Sequence, residues 1–340
     1  MIRPIFWPFL PTLFFVFGSL CSEESLTPRI GIATRASFYG ERELSWKIKL
    51  AAEQLGWEAF VDEAEGIGLQ QIPHLDWVIC LVPRNPYRTP GCPNYLALFH
   101  DVGFFDEKGQ LFSFYENYEP YLLTIPQDRF ARAFPVNEKL LFSMPFYPSV
   151  QNIPYQPLPL HNIATMMPVW GNRLKEPKYI ALYQMLSESG WVKFYGPPDP
   201  SQVIREGYMG PLEFDGISVI RALQNHGIAL VLHSRRHNRA KIPSGRIFEA
   251  AAASAVIISD QNAFVQKHFG DSVYSIDVSG SAEEIYAQIM ACKEAIQRDP
   301  ESALRKAAQA HRIFEEKFSM TTQLLRLENL HREMKKLSAN

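Results

Sequence analysis

Cysteine is scarce in this chain: four residues of 340, Cys21, Cys80, Cys92 and Cys292, none in a C-x-x-C spacing. That excludes a disulfide framework and a zinc knuckle, and no metal-ligand set is expected. Cys80 lies in an apolar run and reads as a small buried hydrophobe. A Cys80–Cys92 bridge stays open if the chain is exported. An excess of either charge is also missing, since 34 Lys and Arg oppose 36 Asp and Glu for a net charge of -2. Nucleic-acid domains carry a clear basic excess, so no nucleic-acid partner is expected. No G-x-G-x-x-G and no G-x-x-x-x-G-K-[ST] follows any strand candidate, and the two commonest phosphate-cradling fingerprints are thereby absent. There is no internal repeat.

What is present suits a globular chain with two cores. Hydrophobic residues make up 46% and charged residues 21%, near globular averages, and the length exceeds what one core usually serves. After Arg3, the stretch Pro4 to Leu20 carries no charge and is followed by Glu23-Glu24, the layout of a secretory signal or short anchor over residues 1–25. Pro4, Pro8 and Pro11 disfavour a long helix there, and the run is barely as long as the roughly 20 residues a spanning helix needs. Leu20 before Cys21 argues against a lipidation signal. The chain is expected to be exported or membrane-anchored through this segment, or held at the cytoplasmic face of a membrane, with membrane contact through the N-terminus.

Alternation of strand and helix patterns then runs through two halves, 26–155 and 156–340. Arg29 to Ala33 reads as a strand, Thr34 to Glu43 as a polar loop, and Leu44, Ile48, Ala51, Ala52 and Leu55 as a helix face ending at Gly56. Trp57 to Val61, Asp76 to Val82, Tyr95 to Phe99 and Tyr121 to Ile125 read as strands. Their continuous apolar character is that of a parallel sheet covered on both faces. Proline crowds the stretch from Phe134 to Pro159, a linker signal. Beyond it come a strand at Ile163 to Val169, a tight loop at Gly171-Asn172-Arg173, and a helix at Tyr179 to Leu186. A strand at Trp191 to Tyr195, a helix at Gly216 to Asn225 and a strand at Ile228 to Leu232 follow, then a helix opened by Ser244 and a strand at Val256 to Ser259. Ser281 to Lys336 is helical, interrupted at Asp299-Pro300. The fold class is α/β, two Rossmann-like domains facing a cleft, closed by C-terminal helices.

The stretch Lys241 to Asp260 carries the most chemistry. Ser244 sits where an N-cap belongs, after Pro243, and Gly245 permits close approach at the first turn. Unpaired N–H groups and the positive dipole end at such a turn suit a diphosphate, with Lys241 and Arg246 adding charge. Glu249 follows about 6 to 8 Å further along by the usual 1.5 Å rise, a distance suited to ribose hydroxyls. The same residues also describe an ordinary capped helix packed against a sheet, and the sequence pattern leaves both readings standing.

Pro243 to Asp260, with Gly227 to Ser234 before it and Gly171-Asn172-Arg173, resembles the donor-binding half of the GT-B glycosyltransferases. It is most similar to the CgeB-type, group 1-like bacterial enzymes, over most of residues 163 to 280. The first half matches in general architecture only. The resemblance implies that Glu249 binds the nucleotide ribose, that Ser244 and Gly245 meet the diphosphate through backbone N–H groups, and that Arg246 and Lys241 neutralise the leaving group. It brings Gly171, Asn172 and Arg173 in from the opposite loop. It implies no cofactor beyond a nucleotide-diphosphate sugar as donor substrate, and a glycan, lipid or protein acceptor. Retaining relatives often carry a second glutamate eight positions before the ribose-binding one; Lys241 stands there, so the stereochemical outcome stays open.

If the reaction inverts the anomeric centre, a general base would come from the first domain, with His100 and Asp101 at the end of the fourth strand candidate as the candidates; His233, at a strand end of the second domain, faces the same crevice and could contact the donor phosphates or the sugar. The alternative is that His100 caps a strand, Asp101 satisfies loop amides and His233 is a satisfied, partly buried histidine. Arg35, Tyr39, Gly40 and Arg42 read as an acceptor or closing loop, or as a solvated one. Phe104, Phe105, Phe112, Phe114, Tyr115 and Tyr118 read as core or as a sugar-stacking surface. A non-catalytic, exported glycan-binding domain of the same fold is the alternative to a metal-independent transferase.

Overall fold

The computed structural model describes residues 27–82, 87–99, 118–124, 143–166, 175–197 and 203–339. The alternation read from the sequence becomes two six-stranded parallel sheets. The first has order β2-β1-β3-β4-β5-β6, from β1 (Arg29–Ala33), β2 (Glu58–Asp62), β3 (Trp77–Cys80), β4 (Asn94–Leu98), β5 (Glu119–Leu123) and β6 (Met144–Pro145). The second has order β12-β11-β10-β7-β8-β9, from β7 (Asn162–Met166), β8 (Val192–Tyr195), β9 (Tyr208–Gly210), β10 (Gly227–Val231), β11 (Val256–Asp260) and β12 (Tyr274–Ile276). β1 pairs in parallel with both β2 and β3, and β10 with both β7 and β11. Each sheet therefore reverses its strand order beside its first strand, and parallel sheets open their ligand crevices at the carboxyl ends of the strands flanking such a reversal.

The continuous apolar runs are explained by burial on both faces. β3, β4, β10 and β11 are buried at every residue. Helices supply the covering layers. α1 (Tyr39–Gln54) buries Leu44, Ile48, Ala51 and Ala52 against the first sheet. In the second domain, α2 (Pro177–Glu188) packs with α7 (Ala282–Arg298), and α5 (Gly245–Ala252) packs with α8 (Pro300–Lys317). α7 starts in a full capping box, with Ser281 and Glu284 satisfying one another's backbone N–H groups.

The chain crosses between the domains twice. The first crossing is the stretch after β6. The second follows α8, where Met320 N donates to Val150 O at 2.7 Å and Gln323 Oε1 accepts from Tyr147 N at 2.6 Å. α9 (Met320–Ala339) then packs on α1, and its Met320, Leu324 and Leu327 belong to the core of the first sheet. The last helix thus closes the first domain, as a two-domain clamp requires.

Where sequence and structure differ, local signals were weak. The expected loop Thr34 to Glu43 is helical from Tyr39 onward, because α1 starts without a side-chain cap and its first turn is polar. The polar stretch after β10 contains α4 (Arg235–Ala240), capped by Ser234. α3 (Ser218–Gln224) and α6 (Ala263–His268) complete the helices named here, and α6 had no apolar period long enough to show. A second break, at Phe318-Ser319, divides the tail besides the one at Asp299. Cys80 is buried, and Cys80, Cys92 and Cys292 are free thiols. No helix among the described residues is long and apolar enough to cross a membrane; Pro4 to Leu20 lies outside them.

Leu324 is fully buried on α9, so Leu324→Ala removes core volume from the first domain although it lies after the second. It is expected to cost about 2 to 5 kcal/mol, read as a lower denaturant midpoint with an unchanged slope.

Candidate functional site

A cavity of about 640 Å³ lies between the two domains. From the second domain its wall takes the ends of β7 and β10, through Thr165, Met166, Leu232 and Ser234, together with Ser244, Gly245, Arg246 and Glu249 of the α5 turn. From the first it takes Tyr39, Gly40, Glu43 and Lys47 of α1, and Phe99 after β4. The cavity thus occupies the carboxyl-end crevice that the reversal at β7 and β10 makes available.

The α5 turn is built by local chemistry. Ser244 takes extended backbone angles, its Oγ accepts from Arg246 N at 3.3 Å and its carbonyl O accepts from Ile247 N at 3.2 Å, so these bonds leave over the first-turn N–H of Gly245, a residue of the cavity wall. Gly245 has a reason the sequence did not show. A Cβ there would come within 2.8 Å of Pro148 O, so the glycine admits the linker backbone rather than a ligand alone.

Glu249 lies one turn along and its side chain is only 2% exposed. Arg246 Nη1 donates to its Oε2 at 2.6 Å, and Lys47 Nζ of the first domain donates to its Oε1. Lys47 also faces Glu43 Oε1 at 3.5 Å, with both side chains below 10% exposure. Four alternating charges, Glu43, Lys47, Glu249 and Arg246, therefore run across the domain boundary. Burial by itself would raise the Glu249 carboxyl; the charges and hydrogen bonds of Arg246 and Lys47 outweigh it and hold the group at about 2, against an ordinary 4.5. Glu43 goes the other way. Burial pushes its carboxyl above the usual value, with Lys47 opposing and Glu249 adding to the rise.

Opposite, the first-domain helix meets a second-domain loop. Tyr39 stacks on Phe214 with ring centroids 5.4 Å apart, and Arg42 lies 5.8 Å from the Phe214 centroid while bonding Glu63 at 2.8 Å. Gly216 at φ +75° completes the dock: a Cβ there would sit 3.1 Å from Lys47 N and 3.2 Å from Trp46 C. Arg35 is held by Glu65 at 2.8 Å and lies away from the cavity wall.

Of the residues read from the sequence, Ser244, Gly245, Arg246, Glu249, Tyr39 and Gly40 come together at the cavity. Lys241 does not. It ends α4 in a left-handed turn at φ 58° and lines a smaller cavity of about 340 Å³ with Lys267 and His268, which corrects its expected place beside the diphosphate. His233 is fully buried and off the wall: its N and Nδ1 both meet Asp260 Oδ1, at 2.9 and 2.6 Å, and Asn238 Nδ2 donates to Asp260 Oδ2 at 2.7 Å. This ties β10 to β11, and the expected donor contact by His233 gives way to a scaffolding one. Burial raises the Asp260 carboxyl, and the bonds from His233 and Asn238 more than offset that. His100, Asp101, Gly171, Asn172, Arg173 and the aromatics Phe104 to Tyr115 lie outside the described residues. Tyr118 is buried in the first-domain core. Sequence reasoning missed Glu43, Lys47 and His237 on the wall; the i, i+4, i+8 spacing of Tyr39, Glu43 and Lys47 was the available signal.

Comparison with known proteins agrees with this geometry. Residues 169–329 match the family model described as Glycosyl transferase-like. Among solved structures, the chain is similar to a glycosyltransferase from Rickettsia africae, with a TM-score of 0.58 and 12% identity over 91% of this chain and 99% of that one. It is similar to sucrose-phosphate synthase from Thermosynechococcus elongatus, at 0.57 and 11% over 92% and 100%. It is also similar to Anabaena HepE, a structure in complex with UDP and glucose, at 0.54 and 11% over 92% and 100%. At such identities the likeness speaks to the fold alone. No curated protein sequence matches the chain. Fold and family match together define the class, an enzyme of the GT-B glycosyltransferases. Within it, residues 169–329, in the second domain, are similar to the family described as Glycosyl transferase-like.

Because the folded Glu249 value is depressed, its stabilisation is complete above about pH 4.5 and is lost as pH falls toward 2. Between about pH 5 and 2, unfolding free energy from denaturant titration should fall in the wild type by on the order of 3 kcal/mol more than in Glu249→Gln.

Proposed function

We propose that the enzyme moves a sugar from a nucleotide-diphosphate donor to a hydroxyl of a glycan, lipid or protein acceptor, without a metal, in the manner of the CgeB-type enzymes. The observation that carries this reading is the Ser244-capped start of α5 opening onto the interdomain cavity, with Arg246 and Glu249 on the same wall. The Gly245 N–H and the positive dipole end of that turn suit the diphosphate, and Arg246, 42% exposed, can supply charge to it. A carboxylate offers about four acceptor positions. Two of those on Glu249 are used by Arg246 and Lys47, which leaves acceptors for ribose hydroxyls. That HepE was solved with UDP and glucose supports a donor of this kind.

In the transfer, the acceptor oxygen bonds to the anomeric carbon while the bond from that carbon to the diphosphate oxygen breaks. The electron pair leaves with the diphosphate, and the acceptor proton passes to a base. Fixed N–H groups and a guanidinium stabilise charge where it develops on the departing oxygen, which is work a divalent ion does elsewhere. The base is assigned to the first domain, with His100 and Asp101 after β4 as its candidates. The N-terminal stretch 1–25 is proposed to export the chain or hold it at a membrane.

Two measurements test this reading. UDP or GDP at about a hundredfold excess over its Kd should stabilise the protein by about 2.7 kcal/mol in a thermal-shift titration, and Arg246→Ala should weaken that response at least tenfold. Sugar transfer should persist in EDTA; its loss there and return with added Mg²⁺ would refute metal independence.

A further inference from the structure

α1 turns one polar stripe toward the cavity: Tyr39, Glu43 and Lys47, one turn apart on a single helix face. Two of the three are accounted for. Tyr39 stacks on Phe214 and Lys47 bonds Glu249. Glu43 is not. Its side chain is 8% exposed, it lines the cavity, and neither carboxylate oxygen has a hydrogen-bond partner. The groups facing it are the Lys47 ammonium at 3.5 Å, the Gly216 backbone amide, and the more remote charges of Arg246 and Glu249. Lys47 does not need Glu43, because Glu249 already pairs with it at closer range.

A buried carboxylate without donors is costly, and natural folds rarely keep one. A fold-only explanation would require Glu43 to hold something in place; Lys47 is already held at closer range by Glu249, and Gly216 is already seated by its backbone contact with α1. Beyond the Gly216 amide and the Lys47 ammonium at 3.5 Å it has no donors, both oxygens are closed to water as the side chain stands, and a turn toward the adjoining cavity is what would let a ligand bring more. The chemistry that supplies several O–H donors to one carboxylate is a polyol. An amine would be a poor match, since Lys47 already presents a cation at that point. Tyr39 and Phe214 beside it offer an apolar flank of the kind on which a sugar ring rests.

We infer that Glu43 is a sugar-binding residue contributed by the first domain, accepting hydrogen bonds from vicinal hydroxyls of the donor. This rests on the proposed function and adds to it a specificity contact outside the α5 turn. Vicinal hydroxyls occur on both the ribose and the transferred hexose, and free nucleotide separates the two sources.

The test is calorimetric titration of the full chain with UDP, GDP, UDP-glucose and GDP-mannose, in wild type, Glu43→Gln and Glu43→Ala. With the ligand that wild type binds, both variants should bind roughly ten- to hundredfold more weakly, since a hydrogen bond to a charged group is lost. Weakening toward free nucleotide and nucleotide sugar alike identifies ribose; weakening toward the nucleotide sugar alone identifies the hexose. Unliganded melting temperatures should be unchanged or higher in both variants, because an unsatisfied buried charge has been removed. Wild-type affinities in both variants would overturn the inference and leave the proposed function intact. A lower unliganded melting temperature in both would overturn it too, by showing that Glu43 serves the fold. If wild type binds none of the four ligands, the proposed function itself fails and the inference falls with it.

Discussion

The ion pair between Lys47 and Glu249 is the contact on which the arrangement of the two domains depends. Each side chain is almost wholly withdrawn from water, and burying a lone ion costs several kcal/mol even after relaxation. Within its own domain Lys47 faces Glu43 at 3.5 Å, and Glu249 of the other domain meets it at closer range. Glu249 has Arg246 within its own helix, yet a carboxylate with one exposed guanidinium has no reason to be closed over. The first domain closes it. Coulomb attraction between buried charges is steep in distance and screened little by salt, so the pair fixes where α1 can sit over α5 far more sharply than apolar contact would.

The same arrangement decides what the cavity can attract. Glu43, Lys47, Glu249 and Arg246 sum to zero formal charge, and Glu41 and Glu213 add two carboxylates to the wall, so it has no positive field to draw in a diphosphate. Recognition of the proposed diphosphate rests on directed groups: the start of α5, whose dipole end carries roughly half a positive charge, and the exposed part of Arg246. This favours a ligand matched in geometry over any polyanion, in keeping with a chain whose overall charge is near balance. The dock formed by Phe214 and Gly216 against α1 acts in the same sense. It lines the cavity with a stacked aromatic pair rather than with charge.

Much of this was legible in the sequence, and the exceptions have a common cause. Apolar runs such as Asp76 to Val82 and Ile228 to Leu232 announced buried parallel strands because burial on both faces leaves no room for a polar alternation. Ser244 announced a helix start because capping is a local interaction between residues two or three apart. Lys47 is different. On α1 it reads as one more solvated lysine, and its partner is 202 residues away in the chain. No local rule connects the two. Lys241 and His233 failed in the converse way: each had a suitable charge or ring near the right strand end, but a left-handed turn at one and an Asp260 partner at the other took them off the wall.

Glu249 itself shows why a sequence pattern and a site can agree on a residue and differ on its state. The pattern presents an acid a turn past a capped helix start and implies an acceptor waiting for ribose. The fold presents the same acid already gripped from both domains. Those two descriptions are compatible only if the grip and the ligand draw on different lone pairs, or if the grip yields. Arg246 is 42% exposed and joined to Glu249 within one helix, whereas Lys47 is 6% exposed and spans the domain boundary. Moving Arg246 costs one rotamer at the surface. Moving Lys47 uncovers two buried charges and shifts α1 off its dock. If the grip is the part that yields, the arginine is therefore the partner that makes way, and the domains can stay together as it moves.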